Sequence, residues 1–168
     1  MEMKIQYMEK IQYEMKTPIG PLYIVASGKA IHGVLFDKQP LPIVKELKTT
    51  KPAGKMIHRV VKQLEEYFAG QRKKFDLVFD LEGTSFQKQV WNELAKIPFG
   101  KTVSYRDIAK RIKNPRAVRA VGSANSKNPL CVIIPCHRVI ASSGALGGYN
   151  GGPDAKKTLL QLEKVQGF

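Results

Sequence analysis

Cys131-Val132-Ile133-Ile134-Pro135-Cys136-His137-Arg138-Val139-Ile140 is the stretch on which the reading of this chain turns. Its apolar run, Leu130 to Ile134, predicts a buried strand that carries a cysteine to its edge. His137 and Arg138 follow that cysteine, and both are able to favour a thiolate. A buried strand that stops at a nucleophile beside two cation-capable groups is a chemical pattern rather than a packing one. Cys131 lies inside the run and reads as a small buried hydrophobe that stays unmodified. Five residues apart on one strand, Cys131 and Cys136 are expected on opposite faces, which argues against an internal disulfide. In a reducing compartment both would be thiols.

Composition narrows the setting. The chain has 168 residues, 43% of them hydrophobic, enough for one ordinary domain or two small ones with packed cores. No apolar run approaches the roughly 18 residues of a membrane span. Met1-Glu2-Met3-Lys4 leads into mixed polar sequence, so a cytosolic location is expected. His32, His58 and His137 are scattered, and no metal-ligand spacing emerges; no metal site is expected. The net charge is +14. Residues 1–84 hold 14 Lys/Arg and 10 Asp/Glu, net +4, whereas residues 85–168 hold 14 and 4, net +10. A basic half beside a near-balanced one suggests a polyanion footprint in the C-terminal part. A solvated basic surface would give the same totals.

Working back to the start, residues 10–37 read as a three-stranded meander. Ile11, Tyr13 and Met15 alternate with polar partners, Thr17-Pro18-Ile19-Gly20 turns, Leu22–Ala26 is β-rich, and Ala30–Phe36 follows after Ser27-Gly28-Lys29. His32 falls in that third strand as a structural residue. Residues 38–53 form a Pro- and Lys-rich surface connection. From Gly54, Ile57, Val60, Val61, Leu64, Tyr67 and Phe68 give one apolar helical face, with Gly70 as its stop. Phe75–Leu81 alternates again and suits one more strand. This segment holds no cluster of catalytic residue types and reads as a scaffold, bounded near Leu81-Glu82-Gly83.

The second segment opens with Ser85 as expected N-cap of a helix carrying Phe86, Val90, Leu94 and Ile97 on one stripe, with Trp91 beside it. Trp91 and Phe99 could stack bases, but core packing is the commoner role at this spacing. Ser104 caps the next helix, with Asp107 as an acidic relative of the capping box. Lys113-Asn114-Pro115 breaks it, and Pro115 suits the first turn of another helix running to about Asn125. The pair reads as a helix-turn-helix. Its second helix combines Arg116 and Arg119 with Ala117, Val118, Ala120, Val121, Gly122, Ser123 and Ala124, and lacks the long polar side chains that read base edges. It fits close approach to a backbone or minor groove with Arg119 as an inserted probe. It equally fits a small-residue helix packed in a core with both arginines at its rim. Asn128-Pro129 is a turn. Ser142–Gly152 is Gly-rich but lacks the Gly-Lys-Ser/Thr of a phosphate loop, so its glycines suit a backbone bending around a flat ligand. Pro153–Val165 makes a last helix with Leu159, Leu160 and Leu162 apolar and Glu163 near its end.

Ile134-Pro135-Cys136-His137-Arg138-Val139 resembles the active-site signature of the alkylguanine-DNA alkyltransferases, or methylated-DNA–protein-cysteine methyltransferases. Thr102-Val103-Ser104-Tyr105, Asn114-Pro115, Arg119-Ala120-Val121-Gly122, Asn128-Pro129 and Ser142-Ser143-Gly144 follow that family's order and spacing. The resemblance covers residues 85–168 strongly and the N-terminal segment in outline. It implies an α+β protein. Residues 1–82 would form an antiparallel sheet with a helix, ribonuclease-H-like. Residues 83–168 would form a mostly helical, winged-helix-like DNA-binding and alkyl-transfer domain containing the helix-turn-helix.

The implied activity is transfer of an alkyl group from O6-alkylguanine, mainly O6-methylguanine, in double-stranded DNA to Cys136. Each molecule would act once, as a monomer and without a cofactor, with O4-methylthymine as a further substrate to consider. The implied roles are a water-linked relay from Cys136 to His137, an imidazole oriented by Glu163, and structural ties from Asn128. Arg119 would fill the gap left by the flipped nucleotide. Tyr105 would displace the 3′ phosphate and protonate the leaving guanine. Val139 and Asn150 would hydrogen-bond the base through their backbone, with Tyr149 as a pocket wall. Gln87, Arg106, Asn114 and Ser142 would contact DNA. Three other readings compete with this one. An alkyltransferase-like lesion binder lacks the cysteine that is present here. A cysteine hydrolase would need an oxyanion hole and makes no use of the basic half. A helix-turn-helix regulator would need a better recognition helix.

Overall fold

The computed structural model describes residues 9–47 and 51–168. The chain divides into two compact units, Met1–Glu82 and Gly83–Phe168.

In the first unit, β1 (Ile11–Met15), β2 (Leu22–Ala26) and β3 (Ile31–Leu35) form the antiparallel meander, in that order. Helix α1 (Pro52–Phe68) packs on it. Leu22, Ile24 and Val34 from the sheet and Ile57, Val60 and Leu64 from the helix are all fully buried. The helix starts two residues before Gly54 because Pro52 occupies its first turn, where a missing N–H costs nothing. The expected alternation of β1 is broken by Gln12, which is fully buried. Its amide nitrogen donates to the carbonyls of Gln39 and Leu41, and its carbonyl accepts from the Gln39 backbone, so one side chain satisfies an inward-folded connection. The strand expected over Phe75–Leu81 is reduced to one parallel bridge between Ile31 and Phe79. Val78 and Phe79 stay exposed, so alternation there does not correspond to a buried face.

In the second unit, α2 (Ser85–Ala95) is capped by Thr84, not Ser85. The Thr84 hydroxyl accepts from the Gln87 N–H while the Gln87 side chain accepts from the Thr84 N–H, a closed capping box that Ser85 cannot make. A two-residue strand, β4 (Val103–Ser104), pairs in parallel with β5 (Val139–Ile140). Helix α3 (Tyr105–Arg111) follows at once, with the Ser104–Asp107 box complete. Lys113 turns the chain at a φ of 58°. The next helix does not begin at Pro115: residues 114–117 form a turn closed by Ala117 N–H donating to Asn114, and α4 runs from Val118 to Ser126. Trp91 is buried, and its indole N–H donates to the Ala124 carbonyl, locking α2 to α4. Helix α5 (Gly152–Leu162) closes the unit with Leu159 and Leu160 in the core.

The decisive correction concerns residues 130–134. Leu130, Cys131, Val132 and Ile134 are buried, but the stretch forms a tight turn rather than a strand, with Ile134 N–H donating to the Leu130 carbonyl at 2.8 Å and Val132 at a φ of 71°. Apolar content predicts burial; it cannot distinguish a buried strand from a buried turn when a side chain supplies the missing hydrogen bonds. Asn128 is that side chain. Its amide nitrogen donates to Ile134 at 2.7 Å and its carbonyl accepts from Leu130 N–H at 3.0 Å.

Candidate active site

The turn ends in a single turn of 3₁₀ helix, Cys136–Arg138. Adjacent strand side chains point apart, but a helical turn lets Cys136, His137 and Arg138 make separate contacts in one buried region. All three are buried, His137 completely.

Glu163 caps α5 and is the hub of the charges. Its carboxylate accepts from His137 Nε2 at 2.7 Å, from Arg138 Nε at 2.8 Å and Nη2 at 3.0 Å, and from the Gly100 N–H at 3.0 Å. Arg138 also donates to the Ile97 carbonyl and lies over the Phe99 ring. Arg138 therefore serves Glu163, and the expectation that it favours the Cys136 thiolate is overturned. A buried carboxylate with an arginine and a backbone donor is held as an acceptor, so the His137 tautomer with hydrogen on Nε2 is selected. The lone pair is then on Nδ1, which is buried with no hydrogen-bond partner. Burial lowers the imidazole pKa against the opposing pull of Glu163, which keeps the ring neutral and basic.

The thiol has its own partners. The Cys136 pKa is lowered first by a hydrogen bond from Cys131, against an opposing desolvation, with help from Asn128 and the charge of Lys156. The expectation that the two cysteines sit on opposite faces fails because the turn at Val132 swings them together. Cys131 donates its S–H to the Asn128 carbonyl at 3.9 Å, and its thiol is near enough to Cys136 to act on the Cys136 pKa. With one proton to donate, it is drawn to the thiolate once that forms; its own pKa is raised by Cys136 and by burial. Cys131→Ala is accordingly expected to move the midpoint of the alkyl-transfer pH profile upward, and Cys131→Ser to bring it back toward the wild-type position. Stopped-flow rates between pH 5 and 9 check both; unmoved midpoints would show that Cys131 only fills space.

Lys156 was missed by the sequence reading. Its side chain is fully buried, and its ammonium donates to the Val139 carbonyl at 2.6 Å and the Gly148 carbonyl at 3.1 Å. It ties β5 to the Gly-rich loop and stands 6.0 Å above the Tyr105 ring. Burial lowers its pKa to about 8, opposed by the negative charge of Cys136. The available signal was a charge on the apolar face: Lys156 stands three and four residues before Leu159 and Leu160, on the stripe that ends at Glu163.

Tyr105, at the start of α3, is half-buried, and its pKa is raised by burial and then by Cys136, which keeps the phenol protonated. Gly147, at a φ of 73°, approaches it so closely that a Cβ would stand 3.0 Å from the hydroxyl. Asn150 donates to the Ser126 carbonyl, fixing the loop to the end of α4. Tyr149 is partly buried in that loop. Arg119 and Asn114 are exposed, on α4 and in the turn before it. Arg106 and Ser142 line one open groove of about 360 Å³ beside β4 and β5, together with Ser104 and Gly144. Gln87 is spent in part on the α2 cap. Among the described residues no cluster of His, Cys, Asp and Glu could hold a metal ion, and no helix is long and apolar enough to cross a membrane.

Comparison with known proteins bears on both units. Residues 11–81 match the ribonuclease-like domain of 6-O-methylguanine DNA methyltransferase, and residues 85–165 match its DNA-binding domain. A methylated-DNA–protein-cysteine methyltransferase of Methanosarcina acetivorans is 46% identical over 149 residues, 88% of this chain and 94% of that protein. One from Mycobacterium tuberculosis is 45% identical over 148 residues, 88% of each. The crystal structure of Mycobacterium tuberculosis OGT in complex with DNA superposes with a TM-score of 0.81 at 40% identity, covering 92% of both chains. With both family domains matched in order and relatives covering most of its length, the chain belongs to the 6-O-methylguanine DNA methyltransferase family.

Proposed function

We propose that this protein removes alkyl groups from the O6 position of guanine in duplex DNA, O6-methylguanine above all, by taking them onto Cys136. The observation that carries the reading is the buried Glu163–His137 pair beside a buried thiol whose pKa is depressed. That pair leaves the Nδ1 lone pair as the base. The Cys136 proton passes to His137 Nδ1 through a bridging water. The thiolate sulfur attacks the alkyl carbon, the S–C bond forms, and the C–O6 bond breaks with its electron pair going to guanine. Tyr105 protonates the leaving base. The step balances with no further reactant, and its product, a thioether, offers no route back, so each molecule acts once.

The O6 atom of a stacked guanine is out of reach, so the nucleotide is flipped from the duplex. Arg119 fills the gap, and the small residues of α4 let the backbone come close. Arg106, Asn114, Ser142 and Gln87 hold the DNA; phosphate contacts of this kind are indifferent to sequence and sensitive to salt. Val139, Tyr149 and Asn150 form the base pocket, and Asn128 keeps the 130–134 turn in place around Cys136. In this reading the first unit is a ribonuclease-H-like scaffold and the second a winged-helix-like domain that binds DNA and transfers the alkyl group. The protein acts as a cytoplasmic monomer, and O4-methylthymine is a secondary substrate.

Arg119→Ala separates flipping from chemistry. Repair of methylated duplex is expected to slow by about 10- to 100-fold, the share of a few-kcal/mol unstacking cost that an inserted side chain offsets. Reaction with the free O6-methylguanine base should hold its rate. Parallel single-turnover assays decide it, and equal losses on both substrates would remove Arg119 from the flipping step.

A further inference from the structure

The first unit carries a surface that the proposed chemistry does not use. Helix α1 buries one face against the sheet, and its opposite face is cationic: Lys55, Arg59 and Lys62 are exposed, His58 lies among them, and Lys51 stands at the N-cap. At about 100° per residue these five positions fall within an arc of about 100°. No acidic residue lies between Lys51 and Lys62. The first acid beyond them is Glu65, and among the described residues no ion pair joins it to Lys55, Arg59 or Lys62.

Two features make this face costly for an isolated helix. Lys51, Lys55 and Arg59 stand at successive four-residue steps, where like charges repel. The first turn holds no acid, so Lys51 and Lys55 stand at the positive end of the helix dipole with no acid there to balance it. A solvated face would ordinarily alternate signs and place acids first. A surface that keeps both penalties suits a polyanion that removes them on binding. The spacing also matches: Lys55 to Lys62 rises about 10 Å along the axis at about 1.5 Å per residue, and phosphates along one strand recur about every 3.4 Å of duplex axis.

We propose that the Lys55–Arg59–Lys62 face of α1 is a second contact surface for the DNA phosphate backbone, carried by the unit that holds no catalytic group. The choice of DNA over other polyanions rests on the reading of the protein as a DNA repair protein. This surface adds non-specific, salt-sensitive affinity along the duplex and has no part in alkyl transfer.

The test is the triple variant Lys55→Gln/Arg59→Gln/Lys62→Gln, beside a charge-matched control, Lys16→Gln/Lys29→Gln/Lys38→Gln, whose lysines are exposed elsewhere in the same unit. Binding of each full-length protein to an undamaged 30-bp duplex is titrated across NaCl concentrations. Because the α1 variant neutralises three fewer phosphates, its slope of log K against log salt should become shallower by about 2.7, while the control keeps the wild-type slope. Transfer from free O6-methylguanine base to Cys136 should be unchanged in both. A slope equal to wild type, or a change shared by the control, overturns the proposal. So does loss of binding to phosphatidylserine vesicles with DNA binding intact, which would assign the face to a membrane. Failure of the wild-type protein to take up the methyl group would instead overturn the repair reading, which the base assay reports separately.

Discussion

Cys136→Ser is expected to bind methylated duplex and never to gain mass. The sulfur is both nucleophile and final acceptor, so no other group can complete the reaction once it is gone. Serine preserves the shape and a hydrogen-bond donor, which leaves the 3₁₀ turn and the Asn128 contacts in place. Its hydroxyl does not ionise at neutral pH, and neither Cys131 nor Lys156 can stabilise an anion that does not form. The variant should therefore accumulate as a stable complex on lesion-containing DNA, detectable by gel shift, with the methyl group still on the guanine. Release of methyl from the DNA by this variant would show that another residue accepts it.

Glu163→Gln is expected to have the next largest effect, and on two quantities. The substitution keeps the volume but removes the charge that balances Arg138 and turns one of the two acceptor oxygens shared by His137, Arg138 and Gly100 into a donor. Leaving a buried guanidinium without its carboxylate costs roughly 3–5 kcal/mol. For a unit of this size the thermal midpoint should fall by at least about 12 °C. At a temperature well below that midpoint, transfer should still be slower by about 10²- to 10⁴-fold, the contribution of a positioned base. Near-UV circular dichroism at the assay temperature separates the two effects. A native spectrum with an unchanged rate would take Glu163 out of the relay, and an unchanged midpoint would show that Arg138 finds its counter-charge elsewhere.

The pH dependence follows from the same groups. Cys136 is held below the ordinary thiol pKa, so the rate is present above that depressed value and lost as pH falls through it. Protonation of His137 removes the base in the same direction. The loss of Lys156 charge above about 8 acts oppositely, withdrawing a cation from the thiolate as pH rises. The rate profile is thus a rise followed by a shallow decline, with the Cys131 bond setting the position of the rise.

What the sequence disclosed and what it withheld have physical causes. α1 and the helix-turn-helix were legible because each helix buries one face at a regular period, α3 opens on the Ser104–Asp107 box, and the meander showed in its apolar runs between turn residues. The turn at residues 130–134 was illegible because its backbone is satisfied by Asn128, a tertiary choice that apolar content does not encode. That one miss put Cys131 on the wrong face and hid its influence on the Cys136 thiol. Arg138 misled for the opposite reason: adjacency to the nucleophile suggested a partner, but its guanidinium is committed to Glu163 and Ile97. Lys156 was overlooked because a lysine in a basic segment is ordinarily solvent-facing; only its place on the apolar stripe of α5 marked it. Gln12 is the same lesson in the first unit, a polar residue buried because a connecting segment needs its amide.

Intact-protein mass after mixing with an equimolar duplex containing one O6-methylguanine, followed by peptide mapping, tests alkyl transfer to Cys136 most directly. The expected result is a gain of one methylene unit per molecule, located on Cys136, with Cys131 unmodified and no second turnover when more substrate is added. A protein that binds the lesion but gains no mass, or that carries the methyl group on any other residue, would contradict it.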